Sequence, residues 1–308
     1  MRRRRLLAAL STLPAALAGC GGRTGPTTQR PTETSTRSTP KTTATPLTET
    51  EPLPDPPDSP DEADALSFVR EYERVAARNE VVEYGDGAPA RNPEIGDPAA
   101  ALVVVADAGF YIFGACSADA RYGERGGYGI NRHEVPHFVG RDGTHEVGGW
   151  SAVVCGATGE AYAAADAEEN AVVPGEGPGA EIHLFRFDGG ERAVSVAVDY
   201  LDAGAPRRVF SRTVEPSPDG PDPAYEYVLS NVAVRTGEYR VGVDVPESDR
   251  QTTAKWTLTD PEAVSWNGLS VFVGDGGRPH VGLPEAGTDD SLVPGPSRCF
   301  RHRIEHEE

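Results

Sequence analysis

Gly237-Glu238-Tyr239-Arg240-Val241-Gly242-Val243 alternates polar with apolar residues without a break. A period of two puts Tyr239, Val241 and Val243 on one side of an extended chain and Glu238 and Arg240 on the other, as in a half-buried strand. The same alternation recurs at Glu181–Phe187, Ala193–Leu201, Arg207–Val214, Tyr225–Val234, Tyr239–Val245, Thr252–Leu258 and Leu269–Val273. Gly, Pro and Asp clusters separate these segments and supply the turns.

Seven short strands in about 100 residues is the strand count of an immunoglobulin-like or fibronectin-like sandwich. The Gly237-x-Tyr239-x-Val241 stretch resembles a strand common in such extracellular modules. No cysteine lies between Ala180 and Gly282, so the inter-sheet disulfide of antibody domains is absent. Trp256 reads as a core filler. The sandwich is expected over residues 180–283.

Upstream, Pro174-Gly175-Glu176-Gly177-Pro178-Gly179 marks a boundary. Before it, Leu66, Val69, Tyr72, Val75 and Ala76 fall on one stripe, and Asp61 and Glu62 stand at the start, which predicts an amphipathic helix ending near Val82. Ala101–Ala106 and Phe110–Cys116, split by Asp107-Ala108-Gly109, predict a hairpin. A polar, glycine-rich loop is expected over 117–134, then short strands at Pro136–Val139, Glu146–Cys155 and Ala161–Ala165. The fold expected is mainly β. An N-terminal helix and small α+β domain (62–172) precede the immunoglobulin-like β-sandwich (180–283), and a polar tail (284–308) follows.

The 308 residues carry a net charge of −19, and lysine occurs only at Lys41 and Lys255. A carboxylate-rich, lysine-poor surface suits molar salt, where the Debye length is about 3 Å and the charges barely repel. The acidity is therefore a solvent adaptation. Nucleic acid is excluded as a partner, because no Arg cluster outside the first residues offers a basic face.

Those first residues are an address. Met1-Arg2-Arg3-Arg4-Arg5, an apolar run from Leu6 to Ala18 and Leu17-Ala18-Gly19-Cys20 have the parts of an export signal over 1–19. The run is too short to span a bilayer. Arg4-Arg5 resembles a twin-arginine signal, and Leu-Ala-Gly-Cys resembles a lipobox in which Cys20 takes lipid. Residues 20–61, rich in Thr, Pro, Ser and Glu, hold the lipid site and an extended stalk that cannot bury a core. The location expected is the extracellular face of the cell membrane, with the membrane as partner through the lipid anchor.

Of the remaining cysteines, Cys116 and Cys155 end apolar runs and are expected to pair, in a compartment that permits disulfides. Two buried free thiols are the alternative, and Cys299 is left over.

His133-Glu134-Val135-Pro136-His137 fits the H-E-x-x-H pattern of zinc proteases. On a helix, His133 and His137 would share a face and bind Zn²⁺ while Glu134 polarised the bound water. Three features oppose this. Pro136 interrupts the required helix, Gly143 stands where a third ligand belongs, and the only methionine is Met1, so no Met-turn exists. An extended segment over Val135–Val139 is the expected conformation. Cys299-x-x-His302-x-x-x-His306 lacks a fourth metal ligand, a copper site lacks a mature methionine, and Gly149-Trp150-Ser151 lacks the second glycine of a nucleophile elbow. No cofactor is expected.

Signal, stalk, surface composition and strand pattern together resemble the twin-arginine-exported lipoproteins of haloarchaea that carry an immunoglobulin-like module. The resemblance implies a membrane-anchored extracellular binding or structural lipoprotein without catalytic activity, whose partner is a cell-surface protein or glycan. The alternative is a secreted zinc-dependent hydrolase built on His133, Glu134 and His137.

Overall fold

A computed structural model describes residues 45–123, 126–148, 153–155, 180–188, 192–201, 205–216, 226–233, 236–258 and 269–283. The fold is mainly β. Helix α1 (Glu62–Tyr84) comes first, with strands β1 (Arg91–Ile95), β2 (Ala99–Val105), β3 (Gly109–Arg121), β4 (Gly127–Gly140), β5 (His145–Val147) and β6 (Val153–Cys155) after it. Then follow β7 (Ala180–Arg186), β8 (Val194–Tyr200), β9 (Arg207–Val214), β10 (Glu226–Ala233), β11 (Gly237–Val245), β12 (Arg250–Leu258), β13 (Leu269–Val273) and β14 (Pro279–Gly282).

α1 starts where its sequence can satisfy free amides. Asp61 accepts from the Asp64 amide, and Asp64 accepts in return from the Asp61 amide, so the two close a capping box. Residues 45–60, which composition assigns to the stalk, lie along the helix. Leu47 bridges Ala90, Arg78 donates to Glu49 O, and the Asn79 side chain bonds the Glu51 backbone at both its amide and carbonyl. Their apolar surface is small, but backbone groups of this segment find partners on α1.

The first sheet is built on β3. Its two halves pair successively with β2 and β1 on one edge, while β4 runs antiparallel along the other edge and β5 adds to β4. The β2–β3 hairpin forms where the sequence places it, with Ala106 and Gly109 exchanging backbone bonds. The expected loop over 117–134 is instead mostly strand. Ala118, Ala120, Tyr128 and Ile130 alternate inward and pack under the end of α1, so β3 and β4 continue as a long hairpin.

Side-chain parity on β3 assigns its two faces. Phe110 and Ile112 pack with Val139 against Phe68 and Val69 of α1. Tyr111, Phe113 and Ala115 point the other way, against Phe185, Phe187 and Phe272. The second sheet, in order β14-β13-β7-β10-β6, supplies those phenylalanines from one face. Its opposite face, with Ile182, Leu184, Leu229 and Val271, closes on the third sheet, β12-β11-β8-β9, which contributes Val196, Val241 and Trp256. The layers therefore run α1, first sheet, second sheet, third sheet. With both faces covered, all seven residues of β7 and all five of β13 are buried. Burying each phenylalanine between the first two sheets contributes roughly 1.5–3 kcal/mol.

Every one of the seven segments expected over 180–283 is a strand. β7 lies between β10 and β13, antiparallel to the former and parallel to the latter, while β8 lies in the facing sheet between β9 and β11. Ala161–Ala165 and the tail from 284, with Cys299, His302 and His306, lie outside the described residues.

Candidate functional site

His133 and His137 both sit on β4, where a regular strand would place residues four apart on one face, about 13 Å from each other. The β3–β4 register slips between Gly114 and Cys116, so Ala115 alone opposes both His133 and Glu134. Glu134 takes a left-handed backbone (φ 53°), as the extra residue of a β-bulge can. Beyond the bulge the parity is reversed. His137 and Val139 face α1, as does Arg132 before the bulge, and His133 turns to the opposite side. The two histidines of the H-E-x-x-H stretch therefore have neither the helix nor the common face that a shared zinc ion requires. His133 instead borders a pocket of about 130 Å³ with Asp97, Ser117 and Asn131, and its buried Nδ1 makes no hydrogen bond among the described residues.

His137 belongs to a different constellation. Its Nε2 is 3.0 Å from Oε1 of Glu73, which α1 carries at the centre of its packed face with no solvent exposure. Arg132 grips the same carboxylate in a fork, Nε to Oε2 at 2.7 Å and Nη2 to Oε1 at 3.0 Å. On its other side His137 Nδ1 is 3.0 Å from Nε2 of His145, at the start of β5. Gly114 makes room: a Cβ there would stand 2.7 Å from Glu73 Cγ and 2.9 Å from Val69 Cγ1. Tyr72 meets both imidazoles edge-on, and Phe68 meets His145.

Burial alone would raise the Glu73 pKa, but hydrogen bonds from His137 and Arg132 outweigh it and hold the carboxyl below its ordinary value. Burial, reinforced by His137, pushes His145 down to about 3. The protons follow. Ionised Glu73 accepts from His137 Nε2–H, and the other ring nitrogen of His137 shares a hydrogen bond with His145 Nε2. The chain thus orients His145 and joins α1 to β4 and β5.

A second feature lies where β3–β5 meet the ends of β12, β13 and β14. A cleft of about 400 Å³ is lined there by Tyr111, Phe138, Glu146, Arg250, Arg278 and His280, among others. Tyr111 is 2% exposed, stacks on Phe272, and turns its hydroxyl to the cleft with no hydrogen bond among the described residues. Burial, helped by Glu146, raises the Tyr111 pKa, so the hydroxyl keeps its proton. Gly274 leaves space for that hydroxyl, which a Cβ would strike. Arg278 pairs with Asp107 at 3.2 Å, whereas Arg250 has no ion pair among the described residues.

Cys116 is a buried free thiol, so the expected bridge to Cys155 is not formed. The two cysteines belong to different sheets. Cys116 on β3 turns toward the end of α1, and Cys155 pairs with Val228 of β10 in the second sheet. Cys20, Arg4 and Arg5 lie outside the described residues. Glu73 and Arg132 carry no sequence signal of their own, since a lone Glu on a helix and a lone Arg on a strand read as solvated, whereas His145 stands two residues from Gly143, where the zinc pattern wants its third ligand. Among the described residues no helix is long and apolar enough to cross a membrane. No protein family, curated protein or solved structure matches this chain.

Proposed function

We propose that the chain is a surface-binding lipoprotein. It is exported through the Arg4-Arg5 signal, held by lipid on Cys20 at the outer face of the cell membrane, and without catalytic activity. The observation that carries the binding role is the cleft of about 400 Å³ that three sheets build, with a protonated Tyr111 hydroxyl aimed into it. That volume lies within the range of small-molecule sites, roughly 300–1,000 Å³. Residues 180–283 serve as an immunoglobulin-like sandwich; two sheets enclosing one shared core support that reading. Its strand order is its own. Constant-type immunoglobulin domains keep their first and second strands in one sheet, whereas β7 and β8 face each other across the core. The acidic, lysine-poor surface fits work in concentrated salt.

Cell fractionation tests the anchor. Cys20→Ser is expected to release the protein into the medium, and Arg→Lys at positions 2 to 5 to leave it inside the cell. A Cys20→Ser protein that stays with the membrane, or hydrolytic activity of the purified chain that Glu134→Gln abolishes, overturns the reading. The second outcome would restore the zinc-hydrolase alternative.

A further inference from the structure

The donors that line the cleft point to a class of ligand. Four lining side chains can donate: Arg250 at the start of β12, Arg278 just before β14, His280 on β14 and Tyr111 on β3. The Arg250 guanidinium has five N–H groups and no ion-pair partner among the described residues, and Arg278 shares only one contact with the exposed Asp107. Two guanidinium groups at one cleft suit a planar carboxylate, which a guanidinium binds with two parallel bonds.

The remaining polar groups suit hydroxyls. Tyr111 O–H and the His280 imidazole can each donate and accept, as a sugar hydroxyl demands of its partners. Burial lowers the His280 pKa, so its ring keeps an acceptor nitrogen. Two carboxylates also border the cleft: Asp142, whose Oδ1 accepts from both the amide and the hydroxyl of Thr144, and Glu146. Phe138 adds a half-buried ring edge for an apolar ring face.

We infer that this cleft binds an acidic saccharide, a uronate-type ring whose carboxylate lies between Arg250 and Arg278 and whose hydroxyls meet Tyr111 and His280. This rests on the surface-binding reading above and adds the ligand class. The volume accommodates one to two sugar rings. Elements from separate layers supply the donors, so the site exists only when the first sheet and the β13–β14 hairpin are joined.

Isothermal titration of the Cys20→Ser chain with galacturonate, digalacturonate, galactose and alanine tests the inference. Galacturonate or its dimer is expected to bind at least tenfold tighter than galactose, with alanine silent. Arg250→Gln should remove that preference. Arg250 is exposed, so this variant should keep the parent's melting temperature; Tyr111→Phe, which removes only the hydroxyl, provides a second variant and should weaken both sugars. Equal affinity for galactose, binding of alanine but not of uronate, or an Arg250→Gln protein with undiminished uronate preference overturns the assignment. If none of the sugars binds while Cys20→Ser is still released from cells, the acidic-saccharide assignment falls and the anchored-surface reading stands.

Discussion

Arg132 and His137 bind the same carboxylate, that of Glu73, although an odd number of positions separates them on one strand. Alternation alone would put them on opposite faces. The bulge at His133-Glu134 adds one residue to β4 against Ala115 and restores the parity, so a local backbone irregularity sets up the polar contact between sheet and helix.

Glu134 holds a left-handed conformation that costs a side-chain-bearing residue roughly 1–2 kcal/mol. Glu134→Gly is therefore expected to be neutral or stabilising by up to about 1 kcal/mol, and Glu134→Val to lose about 1–2 kcal/mol. Urea denaturation of the three proteins checks the order Gly, wild type, Val; a Val variant as stable as wild type would contradict the assigned backbone.

Removing one partner from a buried ion pair leaves the other charge uncompensated. Glu73→Ala should cost about 3–5 kcal/mol in urea unfolding, more than the triple replacement Glu73→Leu, Arg132→Met and His137→Leu, which leaves no buried charge behind. A triple variant less stable than Glu73→Ala would show that the network is worth more than an apolar filling.

The pH dependence has a definite sign. His145 is held at about 3 in the fold against an ordinary 6.5, so the unfolded chain takes its proton first. Its contribution is complete above about pH 6.5 and is lost as pH falls toward 3, at up to roughly 1.4 kcal/mol per pH unit. Glu73 is lowered too, so its contribution is present above its ordinary 4.5 and fades at still lower pH. His145→Phe should flatten the stability profile between pH 6 and 5, and His280, shifted in the same direction, should leave a residual slope.

Burial first, then the nearby Glu73, pushes the Cys116 thiol up to about 11. Thiol reagents should modify it slowly in the native protein and rapidly in urea without reductant. Peptide mapping is expected to show alkylated Cys116, and a peptide cross-linking Cys116 to Cys155 would disprove the free thiol.

The strands of 180–283 were legible because most keep a period of two, and α1 because its apolar stripe and Asp61 cap agree. Even the burial of β7 had a trace: Ile182, His183, Leu184 and Phe185 run on without a solvent-facing gap, as a strand covered on both faces does. The site was not legible. Glu73 reads as solvent-facing until its partners are known, and those partners, Arg132 and His137, come from β4, 59 and 64 residues on. The bulge that aims them adds a single residue with no composition of its own. The disulfide expectation failed for a related reason, since ends of apolar runs reveal burial but not which sheet receives them.

The sharing of the second sheet between two cores bears on how this protein could have arisen and what can be done with it. A sandwich cut out as residues 180–283 would present Phe185, Phe187 and Phe272 to water and lose the β6 edge, making it a sticky fragment rather than a transplantable bead. Domain shuffling cannot move such a piece alone. The sandwich keeps those phenylalanines covered only while the helix-backed sheet stays with it.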